Sequence, residues 1–148
     1  MSIPPCKELL LDNQLCFALY STSLLMTKVY KPLLQELGLT YPQYLAMMVL
    51  WESDGITVGE ISNRMLTDPG SLTPLLKRLE AEGLITRTRS SKDERVVELR
   101  LTEQGRALHE KAKAVPACIL AATERSPEEL GSLREELVAL RNSLNKAV

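Results

Sequence analysis

The sequence is poor in aromatic residues and has no long apolar run. It contains one Trp, one Phe and four Tyr among 148 residues, which favours a helical fold rich in Leu and Ala. No run of ~18 or more apolar residues is present, so we expect no membrane-spanning helix and no membrane partner. The N-terminus lacks the basic-then-apolar order of a secretion signal, and we therefore expect a cytoplasmic protein. The length fits a single domain over residues 1–148.

The net charge is small, and histidine is scarce. The net charge is −1, so any nucleic-acid binding must depend on a local basic patch. Three cysteines in a cytoplasmic chain are not a set of structural disulfides, and each is either a buried thiol or a redox-active one. The single histidine, His109, has no second ligand arranged near it, and we expect no metal and no other cofactor. The sequence has no general-acid or cofactor motif, so we do not expect an enzyme.

The stretch 71–83 is the most informative part of the chain. Its apolar residues follow helical spacing and form one stripe, namely Leu72, Leu75, Leu76 and Leu79. With Ser71 as N-cap, Pro74 lies in the first turn, where its missing N–H is no loss, and Gly83 ends the helix. The opposite face carries small and cationic residues, namely Thr73, Pro74, Lys77, Arg78 and Ala81. This face suits a DNA major groove, although an ordinary amphipathic surface helix shows the same stripe.

The segments on both sides of this helix strengthen the DNA interpretation. Thr57 begins a capping box for a short preceding helix, and residues 67–70 are predicted to form a turn, so a helix–turn–helix spans 57–83. Residues 84–89 and 95–101 are predicted to be two strands around a polar tip. The hairpin adds a set of basic residues, namely Arg87, Arg89, Lys92 and Arg95. We therefore predict a winged helix-turn-helix DNA-binding module over residues 40–102.

Arg95 lies near the tip of this predicted wing. It suits insertion into a minor groove, with Asp93 supporting its guanidinium group. The alternative is a solvated loop charge without a DNA contact.

Two helical regions flank the module. Residues 1–11 are expected to form a loose arm, and Asp12 then caps a long helix over 12–37 that Gly38 ends. Thr102 caps a later helix that Pro116 should bend or break, and Ser126 starts a further helix. That last helix carries a leucine seam, namely Leu130, Leu133, Leu137, Leu140 and Leu144. We predict 12–37 and 103–148 as dimerisation helices that hold two recognition helices ~34–36 Å apart. The alternative is that the seam packs within one chain.

Five strings carry a resemblance to a known family. They are LDNQLCFALYS (11–21), YKPLL (30–34), LTYPQY (39–44), LTPLLKRLE (72–80) and DERVV (93–97). On these strings the chain resembles MarR-family winged-helix repressors, specifically the two-cysteine organic hydroperoxide resistance regulators (the OhrR type). The resemblance covers nearly the whole chain from about residue 11. It implies a mainly helical fold with a small β-hairpin wing and with N- and C-terminal dimerisation helices.

The resemblance also assigns roles to cysteines and tyrosines. It implies that Cys16 is the peroxide-reactive thiol, that Tyr20 and Tyr30 stabilise its thiolate, and that Cys118 of the partner subunit resolves the oxidised sulfur. Cys16 and Tyr20 share a helix face, whereas Tyr30 lies roughly 21 Å further along and can reach the sulfur only from a second subunit. Without the resemblance, a buried small hydrophobe is the favoured interpretation of Cys16, and the alternative for Cys118 is a core thiol. Cys6 is expected to be inert.

The sequence thus predicts a peroxide-sensing repressor. The reduced homodimer binds double-stranded operator DNA, and oxidation of Cys16 by an organic hydroperoxide releases it. The expected DNA-binding residues lie on the recognition helix and the wing, namely Ser71, Thr73, Pro74, Lys77, Arg78, Arg87, Arg89 and Arg95. One alternative is a MarR-type repressor relieved by a small phenolic ligand. Another is a thiol peroxidase with a relic DNA-binding module.

Overall fold

The computed structural model describes residues 3–148 as a mainly helical protein with one small sheet. Its elements are α1 Leu15–Leu37, α2 Tyr41–Glu52, β1 Ile56–Thr57, α3 Val58–Met65, α4 Pro69–Ala81, β2 Ile85–Arg89, β3 Val97–Leu101, α5 Glu103–Ala112, α6 Val115–Thr123 and α7 Pro127–Lys146. The fold class predicted from the sequence is confirmed. No helix within residues 3–148 is both long and apolar enough to cross a membrane.

The start of α1 differs from the prediction. Asp12 lies in a 3-10 turn, Leu11–Asn13, and α1 begins after Gln14 rather than at residue 12. The Gln14 side chain does not cap the helix, and its amide nitrogen donates to the backbone oxygens of Glu8 at 2.8 Å and Leu10 at 2.9 Å. The predicted loose arm likewise contains a 3-10 turn, Lys7–Leu9, and its residues 1 and 2 lie outside the described part. Gly38 ends α1 with a φ of 72°, as predicted.

The predicted stripe of α4 forms the centre of the core. Leu72, Leu76 and Leu79 are at most 1% exposed. Removing a side chain of this size from water stabilises the fold by about 1.5–3 kcal/mol. The burial of this stripe turns the opposite, polar face of α4 outward.

The start of α4 also corrects the prediction. Asp68 caps the helix, and Pro69 is its first residue, so residues 67–70 are not a free turn. The Asp68 carboxylate accepts the Ser71 N–H at 2.8 Å and the Ser71 hydroxyl at 3.0 Å. Ser71 is therefore not the N-cap, and Pro74 lies in the second turn. There its ring nitrogen leaves the Gly70 carbonyl without its usual helical donor.

The sheet has three antiparallel strands in the order β1-β3-β2. The hairpin of β2 and β3 was predicted, and its register pairs Ile85 with Leu101 and Arg89 with Val97. The sequence prediction missed β1, which pairs Ile56 with Leu99. Two residues are too few to show an alternating pattern. Leu99 lies in the central strand, pairs with a residue of each neighbouring strand and is fully buried.

Close contacts join α2, β3 and α5 at one junction. The Trp51 indole N–H donates to the Gly105 carbonyl at 2.9 Å. A Cβ at Gly105 would overlap the Leu84 carbonyl oxygen, so only glycine fits there. The Asp54 carboxylate accepts the Leu101 N–H at 2.8 Å and contacts the Arg106 guanidinium at 3.2 Å. The junction therefore fastens α5 to the base of the hairpin.

The chain forms two compact units, of which the first ends at Ala112 and the second is Lys113–Val148. The break that was predicted at Pro116 is confirmed, since Pro116 lies in the first turn of a new helix, α6. In α7 the Ser126 capping box is also confirmed. Helix α5 belongs to the first unit, whereas the sequence grouped it with 103–148 as a dimerisation region. The dimerisation role of 12–37 and 103–148 stays a prediction.

Candidate functional site

The outward face of α4 presents free positive charge. Lys77 and Arg78 are exposed, and neither has a carboxylate partner within residues 3–148. Pro74 is exposed beside them and presents no N–H of its own. Unpaired cations on a rigid helix can bind phosphates without first breaking an ion pair.

The hydroxyl groups near the start of α4 are oriented by the helix itself. The Ser71 hydroxyl donates to the Asp68 carboxylate, and the Thr73 hydroxyl donates to the Pro69 carbonyl at 2.9 Å. Both hydroxyl protons are thereby used, so the groups present lone pairs. So oriented, Ser71 and Thr73 can accept hydrogen bonds from base amino groups but cannot donate to phosphate oxygens.

The wing tip holds one cation in a fixed and exposed position. The Arg95 side chain is 90% exposed. Its Nε and Nη2 donate to the two Asp93 carboxylate oxygens at 3.2 and 3.3 Å, and its backbone N–H donates to the same carboxylate at 3.0 Å. These bonds lower the pKa of Asp93. The support of Arg95 by Asp93 that the sequence suggested is therefore present in the structure.

The other two wing arginines make contacts within the protein. Arg87 is half-buried and faces Glu80 of α4 at 3.8 Å, and its Nε is buried without a partner among the described residues. Arg89 donates to the Glu94 carbonyl at 2.7 Å and so closes the wing tip. Both residues were predicted from the sequence to bind DNA, and that role stays a prediction. In the structure Arg87 faces the recognition helix, whereas the contact of Arg89 lies within the wing.

Cys16 is exposed in the first turn of α1. No side chain caps this end of the helix, so its free N–H groups leave partial positive charge beside the sulfur. Tyr20 follows one turn later and is 63% exposed. Apolar side chains are exposed along the same helix, namely Leu15, Phe17, Leu19, Leu24, Leu25, Met26 and Val29.

Tyr30 lies far from the Cys16 of its own chain, in a cluster of tyrosines. Its ring centroid is 4.9 Å from that of Tyr41 and 6.0 Å from that of Tyr44. Burial, together with the neighbouring phenols of Tyr41 and Tyr44, raises the pKa of Tyr30 to about 12. The Tyr30 hydroxyl therefore stays protonated and remains a hydrogen-bond donor at any physiological pH.

This shift predicts a loss of stability at alkaline pH that depends on Tyr30. Phenolate is disfavoured more in the folded chain than in the unfolded one, so the free energy of unfolding should fall as pH rises from 10.0 to about 12. We expect Tyr30→Phe to reduce that fall by roughly 1–2 kcal/mol, allowing for the solvent that reaches the half-buried ring. Urea unfolding across this pH range measures it. Tyr20→Phe, outside the cluster, is the control, and an equal effect in both variants would contradict the prediction.

The remaining cysteines are both exposed. Cys118 lies in α6, in the second unit. Cys6 donates to the Glu8 carboxylate at 3.2 Å, in the N-terminal arm. Among residues 3–148, no group of three potential ligands of the His, Cys, Asp and Glu types could hold a metal ion.

Two features of these sites were not found from the sequence. The first is the orientation of Ser71 by Asp68. The Asp68-Pro69 pair could have indicated it, because Asp is preferred at an N-cap and Pro at the first helical position. Tyr41 and Tyr44 surround Tyr30. Their spacing puts them on one face of α2, but only the fold brings that face to α1.

A helix–turn–helix, a hairpin with an exposed arginine at its tip and a cationic recognition face define a winged helix-turn-helix DNA-binding protein. Residues 28–112 match the model of the transcriptional regulators SarA/Rot. The chain is 50% identical over 136 residues to the organic hydroperoxide resistance transcriptional regulator of Bacillus subtilis (strain 168), covering 92% of each chain. It is 44% identical to the regulator TtmR of Methylorubrum extorquens (strain PA1), covering 91% of this chain and 69% of that one. The chain therefore belongs to the MarR/SarA family, and within it to the organic hydroperoxide resistance regulators.

The regulator AbfR of Staphylococcus epidermidis has a similar structure. Its crystal structure gives a TM-score of 0.76 at 34% identity, covering 92% of this chain and 94% of that chain. Reduced AbfR bound to DNA gives 0.74 at 34% identity, covering 90% and 93%. Overoxidized AbfR bound to DNA gives 0.75 at 36% identity, covering 90% and 94%. Disulfide-formed AbfR gives 0.66 at 34% identity, covering 88% and 91%.

Proposed function

We propose that this protein is a peroxide-sensing repressor whose reduced homodimer binds double-stranded operator DNA and whose oxidised form releases it. The observation that carries the proposal is the position of Cys16, exposed at the uncapped positive end of α1 with Tyr20 one turn away. A negative charge on this sulfur would be stabilised by the helix macrodipole and by a phenol donor. The identity with a hydroperoxide resistance regulator supports the same assignment.

The proposed site contains residues of both subunits. Helix α1 is continuous from Leu15 to Leu37, so roughly 21 Å of helical rise separate Cys16 from Tyr30. Tyr30 therefore reaches a sulfur only from the partner subunit. Its raised pKa keeps the phenol protonated, which is the form that can donate to a thiolate.

The first chemical step is a two-electron oxidation of Cys16. The thiolate attacks the terminal oxygen of the hydroperoxide, the O–O bond breaks, and an alkoxide leaves and takes up a proton as the alcohol. Cys16 becomes a sulfenic acid. Phe17 and Leu19 are 39% and 37% exposed on the same helix, and such apolar surface favours an organic hydroperoxide over hydrogen peroxide.

The second step forms a disulfide with Cys118 of the partner subunit. The Cys118 thiolate attacks the sulfenic sulfur, and the hydroxide that leaves takes up a proton as water. The bond requires the two Cα atoms to lie within about 7 Å of each other, and we propose that reaching this distance moves the two DNA-binding modules out of register. The states of AbfR support the disulfide as the releasing event, because AbfR has been crystallised on DNA both reduced and overoxidized.

We propose that Lys77 and Arg78 bind phosphates and that Pro74 packs at the groove beside them. Ser71 and Thr73 contact base edges in the major groove. Arg95 enters a minor groove. Arg87 and Arg89 act by positioning the wing. The distinction rests on their contacts with Glu80 and Glu94.

The salt dependence of DNA affinity should separate these two roles. Each phosphate contact contributes about one to the slope of log affinity against log salt. We expect Lys77→Gln to reduce the slope by about two per homodimer. Arg87→Gln should leave the slope unchanged, while affinity falls by less than about threefold. Fluorescence anisotropy over a series of salt concentrations measures both, and equal slope changes would return Arg87 to the DNA-contacting set.

A mobility shift with the wild-type protein tests the function as a whole. The DNA is a fragment that the reduced protein selects from a random pool. We expect cumene hydroperoxide to release it and dithiothreitol to restore binding. Release by salicylate under reducing conditions, with no effect of peroxide, would overturn the proposal in favour of a ligand-relieved repressor. Sustained peroxide consumption with a thiol reductant, and no change in DNA binding, would favour a peroxidase.

A further inference from the structure

Leu66 combines two unfavourable features. It ends α3 in the left-handed conformation, with a φ of 56° and a ψ of 41°, which strains any residue with a side chain. Its side chain is also 65% exposed, so it contributes little to the core. Asparagine or glycine would adopt this backbone with less strain. Backbone strain that the surrounding structure maintains is frequent at functional positions.

The turn around Leu66 is firmly held. The Leu66 N–H donates to the Asn63 carbonyl at 3.4 Å, and the Thr67 N–H donates to the Ser62 carbonyl at 3.1 Å. Ser62 is only 4% exposed, and its hydroxyl donates to the Thr67 carbonyl at 2.6 Å. Leu66 is therefore displayed on a rigid turn. It lies two residues before Asp68, the cap of the recognition helix.

We infer that Leu66 contributes an apolar contact with DNA at the edge of the major groove and so helps to determine which operator is bound. The inference rests on the proposed function, in which the start of α4 enters that groove. An aliphatic side chain there can contact a thymine methyl group or a deoxyribose carbon. The contact explains why an exposed, strained position carries leucine.

The chain offers a matched control for the strain itself. Among the described residues, Glu124 is the other non-glycine residue with a positive φ, at 55°, and it is exposed at the end of α6. Replacing Glu124 with glycine relieves the same kind of strain in a part of the chain to which we assign no DNA contact.

The test compares melting temperature with operator affinity. We expect Leu66→Asn and Leu66→Gly to melt at or above the wild-type temperature and to bind the operator roughly tenfold more weakly, since each homodimer loses two apolar contacts. Leu66→Met, which keeps the apolar reach, should retain affinity. Glu124→Gly should retain affinity as well. Leu66 variants that melt normally and bind as tightly as the wild type would overturn the inference.

An operator with uracil in place of thymine identifies the contacted group. Weaker binding by the wild type, with no further loss in Leu66→Gly, indicates the thymine methyl. Unchanged wild-type binding, with Leu66→Gly equally weak on both operators, indicates deoxyribose. Peroxide release of the wild type is measured alongside, so that failure of the redox mechanism is seen separately from failure of the Leu66 contact.

Discussion

A Cys16→Ser protein should bind the operator as tightly as the wild type and remain bound at peroxide doses that release the wild type completely. Serine is close to cysteine in size, and position 16 is exposed in the first turn of α1, so the substitution leaves the fold intact. A hydroxyl group at this position is not ionised at neutral pH and does not attack the O–O bond. Mobility shift over a titration of cumene hydroperoxide gives the result directly.

Cys6→Ser is the matched control for this experiment. Cys6 is also an exposed thiol, but it lies in the arm and donates to the Glu8 carboxylate. We expect Cys6→Ser to be released at the same peroxide dose as the wild type. Release of Cys16→Ser by peroxide would show that another thiol is the sensor.

The second large effect is expected for Cys118→Ser. Peroxide should still oxidise Cys16 in this variant, but no disulfide can form with position 118. The protein should then stay on the operator, because in the proposed mechanism the disulfide is the step that releases DNA. On non-reducing electrophoresis, the cross-linked dimer seen with oxidised wild type should be absent. Mass spectrometry of the peptide containing Cys16 should instead show added oxygen.

If peroxide still releases the Cys118→Ser protein from the operator, the sensing of peroxide is separate from the cross-link through Cys118. If it also forms a cross-linked dimer, Cys6 is the next thiol to remove. If it is released without a cross-link, the sulfenic acid alone is sufficient, and the disulfide step is wrong. Both outcomes leave the role of Cys16 unaffected.

Local signals made much of the fold predictable. The helix starts predicted at Thr57 and Ser126 depend on residues three positions apart. In the structure each of these side chains accepts the backbone N–H of the residue three positions on. The stripe of Leu72, Leu76 and Leu79 depends only on helical periodicity. These patterns depend on residues within one or two helical turns of each other, so tertiary packing changed them little.

The sequence was insufficient where one local pattern has two structural outcomes. An Asp-Pro-Gly sequence suits a turn as well as a helix start, and the fold decided for a helix capped by Asp68. Successive side chains of a strand point to opposite faces of the sheet, so the sequence places Arg87 on one face. It does not say which face meets α4 and Glu80. The tyrosine cluster joins two helices, so sequence spacing could place only two of its members together.

The contact between Trp51 and α5 has a practical consequence for studying the switch. Trp51 is the sole tryptophan of the chain. Its ring lies 5.3 Å from that of His109, and its N–H is bonded to Gly105, so both of these partners belong to α5. Any shearing of α5 against α2 would alter the polarity around the indole and hence its emission. The molecule thus carries an intrinsic fluorophore where the wing is anchored, and stopped-flow optics can follow its rearrangement without a dye.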